Sequence, residues 1–367
     1  MDKLRIVGIG GGTGLPVLLA GLRQFASVDV SAIVTVADNG GSSGRLRDSY
    51  GIPAVGDLRN CLVALSGKEG LLAGLFQHRF HAGGQLDGHA LGNLIVTALY
   101  QQTGSLKQAL EAAGQLLPMK GLAMAATETP ATLCALFQDG SMVRGEWQIA
   151  AAGKEIQRVW LEPENPPPSP GVIEAIHSAD AVVLAPGSLF TSLAPNLLVG
   201  GVAGAIRQSK AAKILVCNLT TQPGETDGLT ASGHLRVVES LLGPRVVEFC
   251  LMNSATSRVR SLLPRETRAE PVVCDMRLVR ALGAVPIKAD LLASDEAEIH
   301  HDPAKLGSLI VSVTEGMRQA HRVFALPETH APVQAVRATG FGSHWMRPRH
   351  CARKRGVSSC QSGFAAV

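Results

Sequence analysis

The chain has 367 residues, 46% of them hydrophobic and only 17% charged, which excludes a mostly disordered or coiled-coil protein and leaves room for one large α/β domain or two small ones. Aromatics make up 4% while glycines number 40, so a nucleic-acid reader that stacks bases on rings is excluded and glycine-rich loops in a compact fold are favoured. The formal charge of +4 is concentrated beyond residue 323, where six Lys/Arg face one acid, and the rest of the chain is close to neutral.

The opening reads as strand, loop, helix, strand. Leu4 to Ile9 is a short apolar run that ends in glycines. Leu15, Leu18, Leu19 and Leu22 recur at helical spacing, and Pro16 sits in the first turn, where its missing N–H costs little. Val28 to Val36 is a second, β-branched run. This is one βαβ unit, the building block of parallel sheets. Leu58–Ser66 and Leu91–Gln101 read as apolar-faced helices. Met142–Ile149 and Ile156–Leu161 alternate around a Gly-Lys turn and predict a β-hairpin insertion at about 140–162. The prolines at 163, 166, 167, 168 and 170 then make a stiff return.

A second β-loop-α round follows: a strand at Ala181–Leu184, a turn at Pro186–Ser188, a helix at Leu197–Ile206 and a strand at Lys213–Cys217. Ala181 to Ile206 carries no charge over 26 residues, but Pro186, Gly187, Ser188, Pro195 and Asn196 interrupt it, so it reads as buried strand, turn and helix rather than a membrane span. The expected organisation is a single α/β domain over 1–323 and a basic, disordered tail over 324–367. The seven cysteines form no CxxC pair, and the N-terminus lacks a signal peptide's apolar run. Both fit a cytoplasmic protein with reduced thiols.

Six motifs carry polar chemistry. Gly8-Ile-Gly-Gly-Gly-Thr-Gly14 joins the first strand to the first helix, and its amides at Gly10, Gly11, Gly12, Thr13 and Gly14 suit a phosphate. It is neither a clean GxGxxG nor a P-loop, because Thr13 takes the third glycine position and no Gly-Lys-Ser/Thr follows. Past the second strand, Asp38 stands where a dinucleotide fold places its ribose-binding acid, and Gly40, Gly41, Ser42, Ser43 and Arg45 form a glycine-serine loop suited to an anion. Asp57 opens a third motif with Asn60, in which the acid either caps a helix or meets a ligand. His78, Arg79, His89 and Asn93 make a fourth cluster, able to ligate phosphate or act as acid and base. Pro186-Gly-Ser-Leu-Phe-Thr-Ser192 with Asn196 forms the fifth, in which Gly187, Ser188 and Asn196 are the candidates for an anion. Asn218, Thr220, Thr221 and Gln222 form the sixth at a strand end. The first two loops leave neighbouring strands at one end of the sheet, where open α/β folds bind ligands.

The strings GGGTGLPVLLAGL, AIVTVADNGGSSGRLR, GDLRNCLVAL, LFQHRF, GHALGNL, APGSLFTSLAPNLLV and CNLTTQPGETDGLTASGHL occur in order between residues 10 and 235. Together they resemble the gluconeogenesis-factor family of bacterial proteins, which is related to the phospholactate transferases of coenzyme F420 biosynthesis. The resemblance implies a Rossmann-like, mainly parallel sheet flanked by helices. It implies a cytoplasmic regulator that binds a UDP-sugar such as UDP-N-acetylglucosamine and supports cell shape on gluconeogenic carbon sources. Gly10 to Gly14 and Asn218 to Gln222 would line that site. The related transferases imply an alternative: a Mg²⁺-dependent transfer from a guanine-nucleotide-linked donor, with Asp38 and Asp57 on the metal and Asp57, His78, Arg79 and His89 as catalytic candidates. Two positions that the resemblance associates with UDP-sugar contact depart from the family pattern. His300 stands where an arginine is usual, and no tyrosine precedes Ala269-Glu-Pro-Val272. Oligomeric state is left open, a homodimer included, as is any regulatory protein partner; neither nucleic acid nor membrane is expected.

Overall fold

The computed structural model describes residues 2–67, 70–81, 83–294 and 298–324. Strand β1 (Leu4–Gly10) runs into helix α1 (Gly14–Leu22), whose Leu15, Leu18, Leu19 and Leu22 are all fully buried, as the helical period requires. Strand β2 (Val28–Val34) returns parallel to β1, with Leu4 opposite Val28 and Gly10 opposite Val34. Four helices follow, α2 (Gly41–Tyr50), α3 (Gly56–Ser66), α4 (Leu71–Gln77) and α5 (Leu91–Thr103), then α6 (Leu106–Leu116) and strand β3 (Leu122–Ala125). The Asp38–Arg47 motif is therefore only partly a loop. From Gly41 on it is helical, although its glycines and serines are poor helix formers.

The antiparallel insertion is present but its pairing differs from the expected hairpin. Strand β4 (Thr132–Phe137) lies between β5 (Met142–Arg144) and β6 (Ile156–Glu162), and α7 (Glu146–Ala152) separates the last two. Gly145, at φ +102°, ends β5 after three residues, and the apparent alternation over 146–149 belongs to α7, which buries Ile149. Helix α8 (Val172–Ser178) leads to β7 (Ala181–Leu184). The helix expected over 197–206 is broken: a π-helical turn (Leu189–Leu193) and α9 (Ala194–Leu197) precede it, and Gly201 at φ +83° starts α10 (Val202–Gln208) at 77° to them. Among the described residues no single helix is long and apolar enough to cross a membrane, and Leu193, Leu197, Val202 and Ile206 of the bent pair are buried in the core.

The remaining elements are β8 (Ala212–Val216), α11 (Ala231–Leu242), β9 (Phe249–Asn253), α12 (Thr256–Leu262), α13 (Met276–Ala281), β10 (Val285–Ala289) and α14 (Pro303–Phe324). The main sheet is parallel throughout, in the order β10-β9-β8-β7-β1-β2-β3. Counted within the sheet this is 3-2-1-4-5-6-7, the doubly wound Rossmann order, and its reversal falls between β1 and β7. Both faces are covered: Ile6, Val30 and Val34 pack towards α1, α3 and α14, while Val7, Ile9 and Leu184 pack towards α8, α10 and α11. α1 meets α14 backbone to backbone, since a Cβ on Gly21 would lie 2.0 Å from the Pro303 carbonyl oxygen. The expected 324–367 tail lies, after Phe324, outside the described residues.

Candidate functional site

At the reversal point the loops after β1 and β7 touch. A Cβ on Gly14 would lie 1.8 Å from the Pro186 carbonyl oxygen, so only glycine permits this approach. Gly12 takes φ +59°, and its amide donates to Asp57 Oδ2 at 2.7 Å. Two asparagines fix the neighbouring turns. The fully buried Asn196 donates from Nδ2 to the carbonyls of Gly10 (3.0 Å) and Ser192 (2.8 Å). Asn218 accepts from the Gly187 amide at 2.8 Å and donates to the Gly187 carbonyl at 2.7 Å.

Between these loops lies a cleft of about 620 Å³, within the range of small-molecule sites. Gly12, Thr13, Gly14, Gly187, Ser188, Asn218, Thr220 and Gln222 line it, drawn from three of the six motifs. Its far wall is Glu298, Ile299, His300 and His301. The resemblance marks the His300 position as one of UDP-sugar contact and Ser192 closes the fifth motif, whereas Glu298 and His301 belong to none of the six motifs. No local signal points to that segment, because the tertiary fold brings it over β8 from a loop preceding α14. Burial pushes the His301 imidazole down to about 4, against an opposing hydrogen bond to the Cys217 backbone.

Residues 6–292 match the family described as 2-phospho-L-lactate transferase CofD. The chain belongs to this family. It is also similar to proteins named gluconeogenesis factor: 43% identical over 313 residues to one from Halalkalibacterium halodurans, covering 85% of this chain and 97% of the relative, and 41% identical over 314 residues to one from Bacillus subtilis, covering 85% and 98%. A crystal structure of a Bacillus halodurans protein, 43% identical, superposes with a TM-score of 0.80 over 84% of this chain and 100% of that one. The gluconeogenesis-factor membership read from the motifs is thus shown.

In this CofD-family protein the other predicted residues fall behind or beside the cleft. Gly11 packs on Asp57 and Thr35, each 2.6 Å from where a Cβ would stand. Asp38 Oδ1 accepts the Gly40 amide at 2.7 Å, which fixes the entry to Gly41 and α2. Ser42, His89 and Asn93 form a buried network: Ser42 Oγ lies 3.0 Å from His89 Nδ1 and accepts from Asn93 Nδ2 at 3.0 Å. Ser43 packs on Gly56 and is buried. Thr221 exchanges backbone and hydroxyl bonds with Glu270. Asn60 is half-buried on α3, and His78 stands edge-on to Phe80 at 5.2 Å. None of these lines the cleft.

The acidic groups share one electrostatic neighbourhood. Burial raises Asp57 to about 6, with Asp38 adding to the shift and the Gly12 amide opposing it. Burial and Asp38 also raise Glu146, which hydrogen-bonds Thr191, to about 7. Glu225 is pushed up by burial while it accepts from Ser188 Oγ and the Phe190 amide. Among the described residues no three His, Cys, Asp or Glu side chains are arranged to hold a metal. Asp38 and Asp57 each already accept a backbone amide, from Gly40 and Gly12, so as Mg²⁺ ligands they would leave the rest of the shell to ligand phosphate and water.

Proposed function

We propose that this protein binds a nucleotide sugar, a UDP-sugar such as UDP-N-acetylglucosamine, in the strand-end cleft. On this reading it acts in the cytoplasm as a regulator of cell shape and of growth on gluconeogenic carbon sources, without turnover. The cleft carries the reading. It stands at the reversal point of the sheet, its near wall offers backbone amides, hydroxyls and carboxamides, its far wall holds Glu298, His300 and His301, and among the described residues no Lys or Arg lines it. Backbone N–H groups at Thr13 and Gly14 would meet a diphosphate, while the Gly12 amide is held by Asp57 and the Asn218 carboxamide by the Gly187 turn; Thr220 and Gln222 offer donors and acceptors for base or sugar. The name borne by the relatives supports the physiological half.

The test is a thermal-shift and calorimetric titration of the full chain with UDP-N-acetylglucosamine. Binding to the folded state raises the melting temperature by mass action. Absence of any shift at millimolar ligand, with the protein folded, overturns the reading.

A second reading is favoured by the CofD match and by the carboxylates beside Gly12. It is a transferase using a guanine-nucleotide-linked donor, with Asp38 and Asp57 holding Mg²⁺ against the donor phosphates. The metal would neutralise phosphate charge as the donor bond breaks. Product from such a donor, Mg²⁺ and a deazaflavin alcohol would establish it. No product beside an active control removes it.

A further inference from the structure

Three arginines from separate elements gather between the end of α4 and the turn at Asp87 and Gly88. Arg45 comes from α2, Arg59 from α3 and Arg79 from the arm that follows α4. Arg45 and Arg79 donate to the adjacent carbonyls of Asp87 and Gly88, the latter at 2.6 Å. Arg59 is only 5% exposed, and it donates to Gln77 Oε1 at 2.6 Å while its buried Nε has no partner. Among the described residues no carboxylate lies within ion-pair distance of any of the three. Gln77, which Arg59 holds, ends α4 two residues before Arg79. The same Arg79, with Arg45, lowers His89 after burial has done so.

A buried guanidinium without a carboxylate is expensive, and repulsion from a second arginine adds to the cost. Structural arginines are normally given an acidic partner. Among the described residues no hydrogen bond joins Asp57 to Arg59; Asp57 Oδ2 accepts from Gly12 and Arg59 donates to Gln77. The donors left over are two forks at the surface and one buried N–H, a set that matches the oxygens of a dianion.

We propose that Arg45, Arg59 and Arg79 form a phosphate-binding subsite distinct from the strand-end cleft, on the far side of the Gly12–Asp57 hydrogen bond. It takes a phosphate group carried by a second ligand. This does not depend on the nucleotide-sugar reading, because none of the three arginines lines the cleft.

The test is a titration of the full chain with inorganic phosphate at constant ionic strength, followed by NMR of the His89 ring. Saturable binding should shift His89 and raise its pKa, because the anion offsets the arginine charge. R45Q and R79Q change exposed side chains and should each weaken binding at least about tenfold. R59K, which keeps the charge but loses the planar fork, should weaken it as well. N218A, in the cleft, should leave it unchanged. No response of His89 to phosphate, an unaltered affinity in the folded R45Q/R79Q double variant, or loss of the response in N218A overturns the proposal.

Discussion

The Gly12 amide and the Asp57 carboxylate are joined by a 2.7 Å hydrogen bond that ties the turn after β1 to the first turn of α3. The bond is made by a carboxyl that burial raises from 3.8 to about 6. Burial therefore outweighs the hydrogen bond, and the folded protein keeps this proton to higher pH than the unfolded chain does.

The stability consequence has a definite sign. Between pH 3.8 and about 6 the unfolded chain has lost this proton and the folded chain keeps it, so the contribution is full below pH 3.8 and is lost as pH rises through about 6. A shift of this size corresponds to about 3 kcal/mol. Asp57→Asn should abolish this dependence while keeping an acceptor for Gly12. Urea unfolding of both proteins from pH 4 to pH 7 measures it, and parallel pH curves would refute it.

Gly14 and Gly12 should fail differently. At Gly14 a Cβ meets the Pro186 carbonyl oxygen at 1.8 Å, so Gly14→Ala must push the β1 and β7 loops apart. Overpacking of this kind costs about 1–3 kcal/mol, read as a lowered denaturant midpoint. At Gly12 the nearest atom is Ser192 Oγ at 3.4 Å, and the obstacle is the φ of +59°. Gly12→Ala should cost about 1–2 kcal/mol of backbone strain. Gly12→Val adds a β-branched side chain at the cleft lining and should also remove any nucleotide-sugar thermal shift.

What was legible in the sequence follows from how local each signal is. The β1-α1-β2 unit was readable because Leu15, Leu18, Leu19 and Leu22 show their period without help from the rest of the fold. The glycine turns at Gly12–Gly14 and Gly187 were readable because tight turns demand that residue. α2 was not, since its Gly, Ser and Arg composition carries no apolar stripe and its helix is held by tertiary packing. α7 reads as a strand because Trp147 and Ile149 alternate over too few residues to separate the two periods. β9 and β10 were missed. β10 has only Pro286 buried in its five residues, as an edge strand can. His300 and His301 reach the cleft only through long-range folding, which no spacing rule reports.

Asn218 clamps Gly187 by accepting from its amide and donating to its carbonyl. Asn218→Ala removes both bonds and frees a turn that lines the cleft. At about 1 kcal/mol for each bond the fold should survive at reduced stability, while UDP-N-acetylglucosamine affinity should fall at least about tenfold. Asn218→Asp keeps the acceptor but sets a carboxylate against the Gly187 carbonyl, so it should bind no better than the alanine variant. Calorimetry on the three proteins decides. Unchanged affinity in Asn218→Ala would show that this turn does not shape the ligand site.

His301 makes the opposite pH limb to Asp57. Burial lowers it from 6.5 to about 4, so the folded protein keeps it neutral while the unfolded chain takes up a proton below pH 6.5. Its contribution is full above pH 6.5 and is lost as pH falls towards about 4, amounting to about 3 kcal/mol. Asp57 works against this limb over the same range, so the wild-type curve alone does not separate them. His301→Gln isolates the term, because Asp57 and the other histidines are common to both proteins and cancel in the difference. The variant's stability relative to wild type should therefore improve steadily from pH 6.5 down to pH 4. A constant difference across that range would mean that His301 takes up its proton in the folded protein as readily as in the unfolded chain, and becomes a cation at the cleft wall below about pH 6.5.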